Sequence, residues 1–200
     1  MFSKDSQVIV KQLDQPKLKW RFWEVRQPLE FTGKSETFVV PPDFRTDFAS
    51  VPRLAVWYAA KSGRYTRAAI LHDHLCKMAE KGGITRRDAD GIFRRAMRES
   101  KVPLMKRRIM WAGVRWGALG TKSGRRRHWW KDAPAVLLWS LVALPIVAPP
   151  AVVILVALAV SWIFDIILWV LLWIGRWVKT LLGSTPTKEL NRPTFEYKST

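Results

Sequence analysis

Over the first forty residues apolar side chains return at every second position in short runs, the period of a half-buried strand. In Gln7 to Leu13 the apolar positions are Val8, Val10 and Leu13. From Lys17 to Val25 the alternation is clearer: Leu18, Trp20, Phe22 and Glu24 share one phase, and Lys19, Arg21, Trp23 and Val25 the other. A third run, Glu36 to Val40, is closed by Pro41-Pro42, and Gly33 with its polar neighbours supplies the turn before it. Short alternating runs separated by turn residues predict a small antiparallel sheet.

The period then changes from two to 3.6. In Thr66 to Lys81 the apolar residues Ile70, Leu71, Leu75 and Met78 fall at helical steps, with Thr66 as the expected N-cap and Gly82-Gly83 as the stop. A second helix begins at Thr85, where Thr85 and Asp88 match a capping box, and Ala89, Ile92, Phe93, Ala96 and Met97 form its apolar stripe. The short Gly82-Gly83-Ile84 link makes these two helices an antiparallel hairpin. A third helix is expected from Pro103 to Leu119, ending at Gly120.

From Ala133 to Val178 the chain is almost wholly apolar. A membrane-spanning helix needs about 20 such residues, so the stretch is long enough for two. Pro149-Pro150 near its middle should break a continuous helix, which predicts a transmembrane helical hairpin or a re-entrant loop. Ala151 to Ile174 suffices for a span by itself, while Ala133 to Ala148 is short. Asp165 lies inside the second run, and pairing with Ser140 or Ser161 of another copy would make the hairpin a homo-oligomer contact. Ser184 to Thr200 reads as a polar tail. The opening MFSKDSQVIV is polar and alternating, which predicts no cleavable signal peptide.

Charge adds a partner to this outline. The formal net charge is +18, and between Arg86 and Lys131 fifteen lysines and arginines face three acids. Arg125-Arg126-Arg127-His128-Trp129-Trp130-Lys131 stands directly before the apolar run. Basic residues with tryptophans there suit an anionic inner-leaflet surface, at about 1 kcal/mol per lysine or arginine. Nucleic acid answers to the same charge, but no nucleic-acid-binding motif accompanies it. Both flanks of the apolar run are basic, so the positive-inside rule puts both termini in the cytoplasm. Cys76 is the only cysteine, which excludes an intrachain disulfide and a thiolate zinc cluster.

Candidate chemistry centres on His72-Asp73-His74 in the first helix. Asp90 borders the apolar stripe of the second helix, where a hairpin brings it near His72. Asp47, in the loop between Pro42 and Pro52, is either the acceptor of an Asx turn or a carboxylate delivered to the His72 helix as metal ligand or histidine orienter. His72 and Cys76, four residues apart, can share one helix face. No His-Glu-x-x-His motif, phosphate loop or nucleophile elbow is present. The competing reading of these groups is a buried hydrogen-bond network locking loop and helices together.

Three stretches in order, VPPDFRTDFASVPR, GRYTRAAILHDHLCK and DADGIFRRAMRES-KVP, resemble an uncharacterised family of tailed-phage and prophage proteins known as domain of unknown function 1353. The resemblance covers Val8 to Gly117 and implies a phage or prophage origin and a small α+β domain. His-Asp on one helix followed by Asp-x-x-Phe on an antiparallel one is also similar to secreted-type phospholipase A2. That similarity implies a catalytic set of His72, Asp73 and Asp90: His72 activating water, Asp73 (with Asp47) holding a divalent cation such as calcium, and Asp90 orienting His72. Ala68, Ala69 and Leu75 stand where that family has cysteines, and no glycine-rich calcium loop precedes the helix.

The expectation is therefore an α+β fold: a small N-terminal antiparallel sheet, an α-helical hairpin and third helix, then a C-terminal transmembrane helical hairpin. Its parts are a domain over 1–120, a basic juxtamembrane linker over 121–132, a membrane hairpin over 133–178 and a tail over 179–200. The functional expectation is a cytoplasm-facing module at the bacterial inner membrane, in lysis, exclusion or DNA delivery, partnered by anionic membrane lipids. The alternative is a metal-dependent lipid or envelope hydrolase.

Overall fold

The computed structural model describes residues 1–2, 8–13, 22–33, 36–48, 51, 53–60, 62–122, 129–183 and 193. Five strands come first: β1 Val10–Leu13, β2 Phe22–Val25, β3 Leu29–Thr32, β4 Thr37–Val40 and β5 Arg45–Thr46. Four helices follow: α1 Thr66–Glu80, α2 Arg86–Glu99, α3 Leu104–Ala118 and α4 Trp129–Leu181. A single 3-10 turn, Arg53–Ala55, lies between the strands and α1.

The strands form two small sheets. One has the order β1-β2-β5, all antiparallel, with Val10 opposite Val25 and Leu13 opposite Phe22. The other is the β3-β4 hairpin, with Leu29 opposite Val40 and Phe31 opposite Phe38. Strict alternation in β3 and β4 turns Leu29, Phe31, Phe38 and Val40 inward onto α1. Gly33 closes this hairpin by donating its N–H to the Glu36 carbonyl at 2.7 Å. A Cβ on Gly33 would stand 2.9 Å from that same oxygen, so a side chain there would force the turn open. The expected antiparallel sheet is present as two, because β3 pairs with β4 and β2 pairs with β1 and β5. The stretch 14–21, which holds much of the expected Lys17–Val25 strand, lies outside the described residues.

Helix boundaries follow local chemistry. Thr66 is the first residue of α1 rather than its N-cap; its Oγ1 accepts the Gly63 N–H at 2.8 Å and tightens the preceding turn. At the other end Gly82, at φ 85°, and Gly83 return their N–H groups to Ala79 and Met78 in a Schellman motif. Thr85 caps α2 as expected, accepting the Asp88 N–H at 3.1 Å while its hydroxyl donates to the Asp88 carboxylate. The core is one cluster in which Phe31, Val40, Ile70, Leu71, Leu75, Phe93 and Met97 are buried between sheets and helices.

The C-terminal half differs from expectation. No hairpin forms: α4 is one 53-residue helix that runs straight through Pro134, Pro145, Pro149 and Pro150. Each interior proline removes one N–H and crowds the carbonyl four residues back, a cost of about 3 kcal/mol in an ordinary helix. A turn in an all-apolar stretch would instead strand several peptide groups with no polar partner, so the helix outlasts its prolines. The helix also starts earlier than the expected membrane segment and is docked at its base. Val136 is fully buried against Trp111 and Ala112 of α3, with Ala133, Ala135 and Trp139 around it. Trp116 Nε1 donates to Ser140 Oγ at 2.8 Å, and the 3-10 turn also packs against α4. Beyond Ser140 the apolar side chains are largely exposed, and α4 is long and apolar enough to cross a membrane. The basic run Arg125 to His128 and most of the tail lie outside the described residues.

Candidate functional site

The helix hairpin brings His72 and Asp90 together as its spacing predicts. His72 Nε2 stands 2.7 Å from Asp90 Oδ1. Asp90 is fully buried and His72 is 7% exposed. Two guanidiniums share the same carboxylate: Arg86 Nε donates to Oδ1 at 3.2 Å and Arg115 Nη1 to Oδ2 at 2.9 Å. Cys76 Sγ lies 3.5 Å from Nε2 and 3.8 Å from Nδ1, and the ring face lies on Phe93 with centroids 4.7 Å apart.

The network continues past the pair. Arg115, itself only 1% exposed, reaches Asp132 Oδ2 with Nη2 at 3.3 Å. Arg87 closes on Asp132 as a bidentate fork, with Nε and Nη2 each 2.9 Å from one carboxylate oxygen. A continuous chain of polar contacts thus runs His72–Asp90–Arg115–Asp132–Arg87 and joins α1, α2, α3 and the first turn of α4. Asp132 also suits that first turn, where a carboxylate meets the positive end of the helix dipole.

Sequence reasoning missed Arg86, Arg115 and Asp132. A signal for Arg115 was present: it falls in register with Trp111, Ala112 and Ala118 on the buried stripe of α3. An arginine on an apolar stripe calls for a buried carboxylate. Asp132 gave no such sign, because its role depends on how α4 docks.

Asp73 and Asp47 lie on the other side of α1. The link from the loop to α1 is made by Thr46, the residue before Asp47. Its hydroxyl donates to Asp73 Oδ2 at 2.5 Å and accepts the Phe48 N–H at 2.9 Å, which holds Phe48 at φ 65°. Burial pushes the Asp73 carboxyl up to about 7; the Thr46 hydrogen bond lowers it in part, and the nearby Asp47 charge raises it further. His74 points to the same loop and packs edge-on against Phe44 at 5.2 Å. Burial, then Lys77 and Lys81, hold it below the ordinary histidine value.

Two chemistries fit this arrangement poorly. Calcium at Asp73 would need a carboxylate that stays ionised with further acidic partners. Among the described residues no three His, Cys, Asp or Glu side chains converge as a metal site. Cys76 beside His72 has the partners of a nucleophilic thiol, yet burial pushes it up to about 12 and leaves it an inert thiol.

No curated protein and no solved structure matches the chain. One family model does, over residues 23–114, the segment from β2 into α3 that carries Asp47, His72, Asp73 and Asp90. Over that segment the chain is similar to the family described as "Protein of unknown function (DUF1353)".

Proposed function

We propose that the protein is a membrane-attached docking module, in which the DUF1353 domain is held at an anionic membrane surface by α4 and the buried charge chain acts as the strut between them. One observation carries this reading: Asp132, in the first turn of α4, is gripped by Arg87 and by the same Arg115 that holds Asp90 and through it His72. A general base must present a nitrogen to a water beside the substrate. Here Cys76 Sγ stands within 3.8 Å of both ring nitrogens, the ring face is covered by Phe93, and Asp90 serves two guanidiniums besides His72. These features favour a strut over the hydrolase reading, although the His72–Asp90 bond is a contact that a hydrolase would also use.

The dimensions of α4 favour one span rather than a hairpin. From Ala133 to Ser140 the helix is docked on α3, which leaves Leu141 to Ala148, about 12 Å of helix, before the proline pair. That is too short to cross a hydrocarbon core of about 30 Å, whereas Ala151 to Ile174 provides about 36 Å. The docked residues up to Ser140 then form a stalk, the exposed apolar surface beyond it enters the membrane, and the C-terminal tail lies across the membrane from the domain.

The test uses the full-length protein in vesicles, wild type beside His72→Gln, which keeps an amide donor for Asp90. The strut reading expects flotation with the vesicles and no release of lysophospholipid or fatty acid from either protein, with calcium or with chelator. A cysteine placed in the tail should react with an impermeant thiol reagent only from the side opposite the domain. Calcium-dependent lipid release that disappears in His72→Gln at unchanged melting temperature would overturn the strut and restore the hydrolase.

A further inference from the structure

Not every arginine on α2 and α3 is used by the strut. Arg94 and Arg98 lie one turn apart on α2, and Arg107 and Arg108 lie near the start of α3, which packs against α2. Among the described residues no carboxylate comes within ion-pair distance of any of these four. Arg95, between them in sequence, is matched by Glu99 at 3.0 Å. The four lie close enough to act on one another: Arg94 is pushed below its ordinary value by burial and then by Arg108, and Arg107 by burial and then by Arg108 and Arg98.

Two tryptophans hold part of the group in place. The Arg94 guanidinium lies over Trp111 at 5.0 Å, and that of Arg108 over Trp139 of α4 at 5.7 Å. Arg108 Nε is buried with no hydrogen-bond partner among the described residues. A buried guanidinium N–H with nothing to donate to is destabilising, and a set of like charges adds repulsion. A protein that keeps such a cluster, stacked on rigid aromatic faces, has a fork of donors prepared for an anion.

We infer that Arg94, Arg98, Arg107 and Arg108 form a binding site for the phosphate of an anionic phospholipid headgroup, set where α3 meets the stalk of α4. The inference rests on the reading of α4 as a membrane anchor, which is what brings lipid headgroups to this site. Position selects lipid over nucleic acid: the Arg108 guanidinium sits on Trp139, about ten residues into α4 and close to where its exposed apolar surface begins. Arginine with tryptophan at that level is the chemistry of a headgroup layer.

The experiment is thermal melting of the full-length protein in a neutral detergent, titrated with short-chain phosphatidylglycerol, with short-chain phosphatidylcholine, with inorganic phosphate, or with a single-stranded oligonucleotide. The variants are Arg98→Gln with Arg107→Gln, which spares the two tryptophan contacts, and Lys11→Gln with Arg45→Gln, which removes equal charge from the β1-β2-β5 sheet. Phosphatidylglycerol should raise the wild-type melting temperature by several degrees and phosphatidylcholine should not. The first variant should lose most of that rise and the second should keep it. Equal loss in both variants, or no rise in the wild type, overturns the site. A full rise with inorganic phosphate alone, or a larger one with oligonucleotide that Arg98→Gln with Arg107→Gln removes, overturns the lipid assignment. Flotation of both variants with neutral vesicles reports the anchor separately, so a failed anchor and a failed site give different patterns.

Discussion

Helices α2 and α3 carry two sets of arginines with opposite surroundings. Arg86, Arg87 and Arg115 each meet a carboxylate, Asp90 or Asp132, and together they stitch three helices to the base of a fourth. Arg94, Arg98, Arg107 and Arg108 meet tryptophans, one another and, for Arg107, the Val102 carbonyl at 3.4 Å. The same residue type, on the same two helices, is structural cement where a carboxylate has been buried with it and a cluster of cations without an ion-pair partner among the described residues where none has. The sign of the partner decides the role, and the two sets should respond to substitution in opposite directions.

The largest contrast is at Asp90. Asp90→Ala leaves Arg115, at 1% exposure, facing a hole, and removing one member of a buried ion network costs about 3–5 kcal/mol. Urea unfolding of the full-length protein in neutral detergent should show a loss of that size. Replacing both members, Asp90→Leu with Arg115→Met, should recover much of it, because the desolvated charges go together. If Asp90→Ala unfolds like wild type, the strut has no energetic content and the comparison fails at its stronger end.

Asp132→Ala comes next. It removes the fork from Arg87 and the second contact of Arg115, but Arg87 is half-exposed and recovers water, so about 2 kcal/mol is expected. The more telling readout is local. Hydrogen exchange should speed up over the first three turns of α4, where Val136 and Ser140 dock, while α1 stays protected. A uniform change across the domain would mean that Asp132 supports the fold generally and does not join domain to helix.

How far the sequence carried this picture depends on whether a contact is local. The His72–Asp90 bond was legible because two amphipathic helices joined by Gly82-Gly83 can close in few ways. The sheet was legible in kind, but β3 was passed over although its four residues after Pro28 alternate strictly, and the two-residue β5 is too short to show a period. Thr46 was overlooked beside Asp47 because a carboxylate looks more like chemistry than a hydroxyl; the structure gives the hydroxyl both hydrogen bonds. The expected break at Pro149-Pro150 borrowed a rule from helices in water, where a turn can be solvated. In an apolar run it cannot, and the helix continues. Asp132 was out of reach, since only the packing of α4 on α3 gives it partners.

Asp73 offers a third kind of carboxylate, between the two arginine sets, with a hydroxyl in place of a cation. Its value rises from 3.8 unfolded to about 7 folded, chiefly through burial, so the folded state binds the proton more tightly between those limits. Stability should therefore fall as pH rises from about 4 to 7, with the penalty complete above that window. Asp73→Asn lacks this slope. Relative to the variant, wild type should lose stability across the window at no more than about 1.4 kcal/mol per pH unit, the slope of one titrating carboxyl. Parallel pH profiles for the two proteins would remove Asp73 from the account.

The smallest effect tests the other end of the comparison. Arg98 is exposed, and its charge bears on Arg94 and Arg107. Arg98→Gln relieves repulsion and breaks no ion pair among the described residues. Its effect on unfolding should stay within about 0.5 kcal/mol and point toward greater stability, the reverse of Asp90→Ala. The gain should shrink as salt rises, because screening at about 0.15 M already weakens exposed charges beyond roughly 8 Å. Anionic lipid should reverse the order: with phosphatidylglycerol present, wild type gains a ligand that the variant holds less well and becomes the more stable of the two. A variant less stable than wild type without lipid would mean that Arg98 already has a stabilising partner, and the division of the arginines into two sets would not hold.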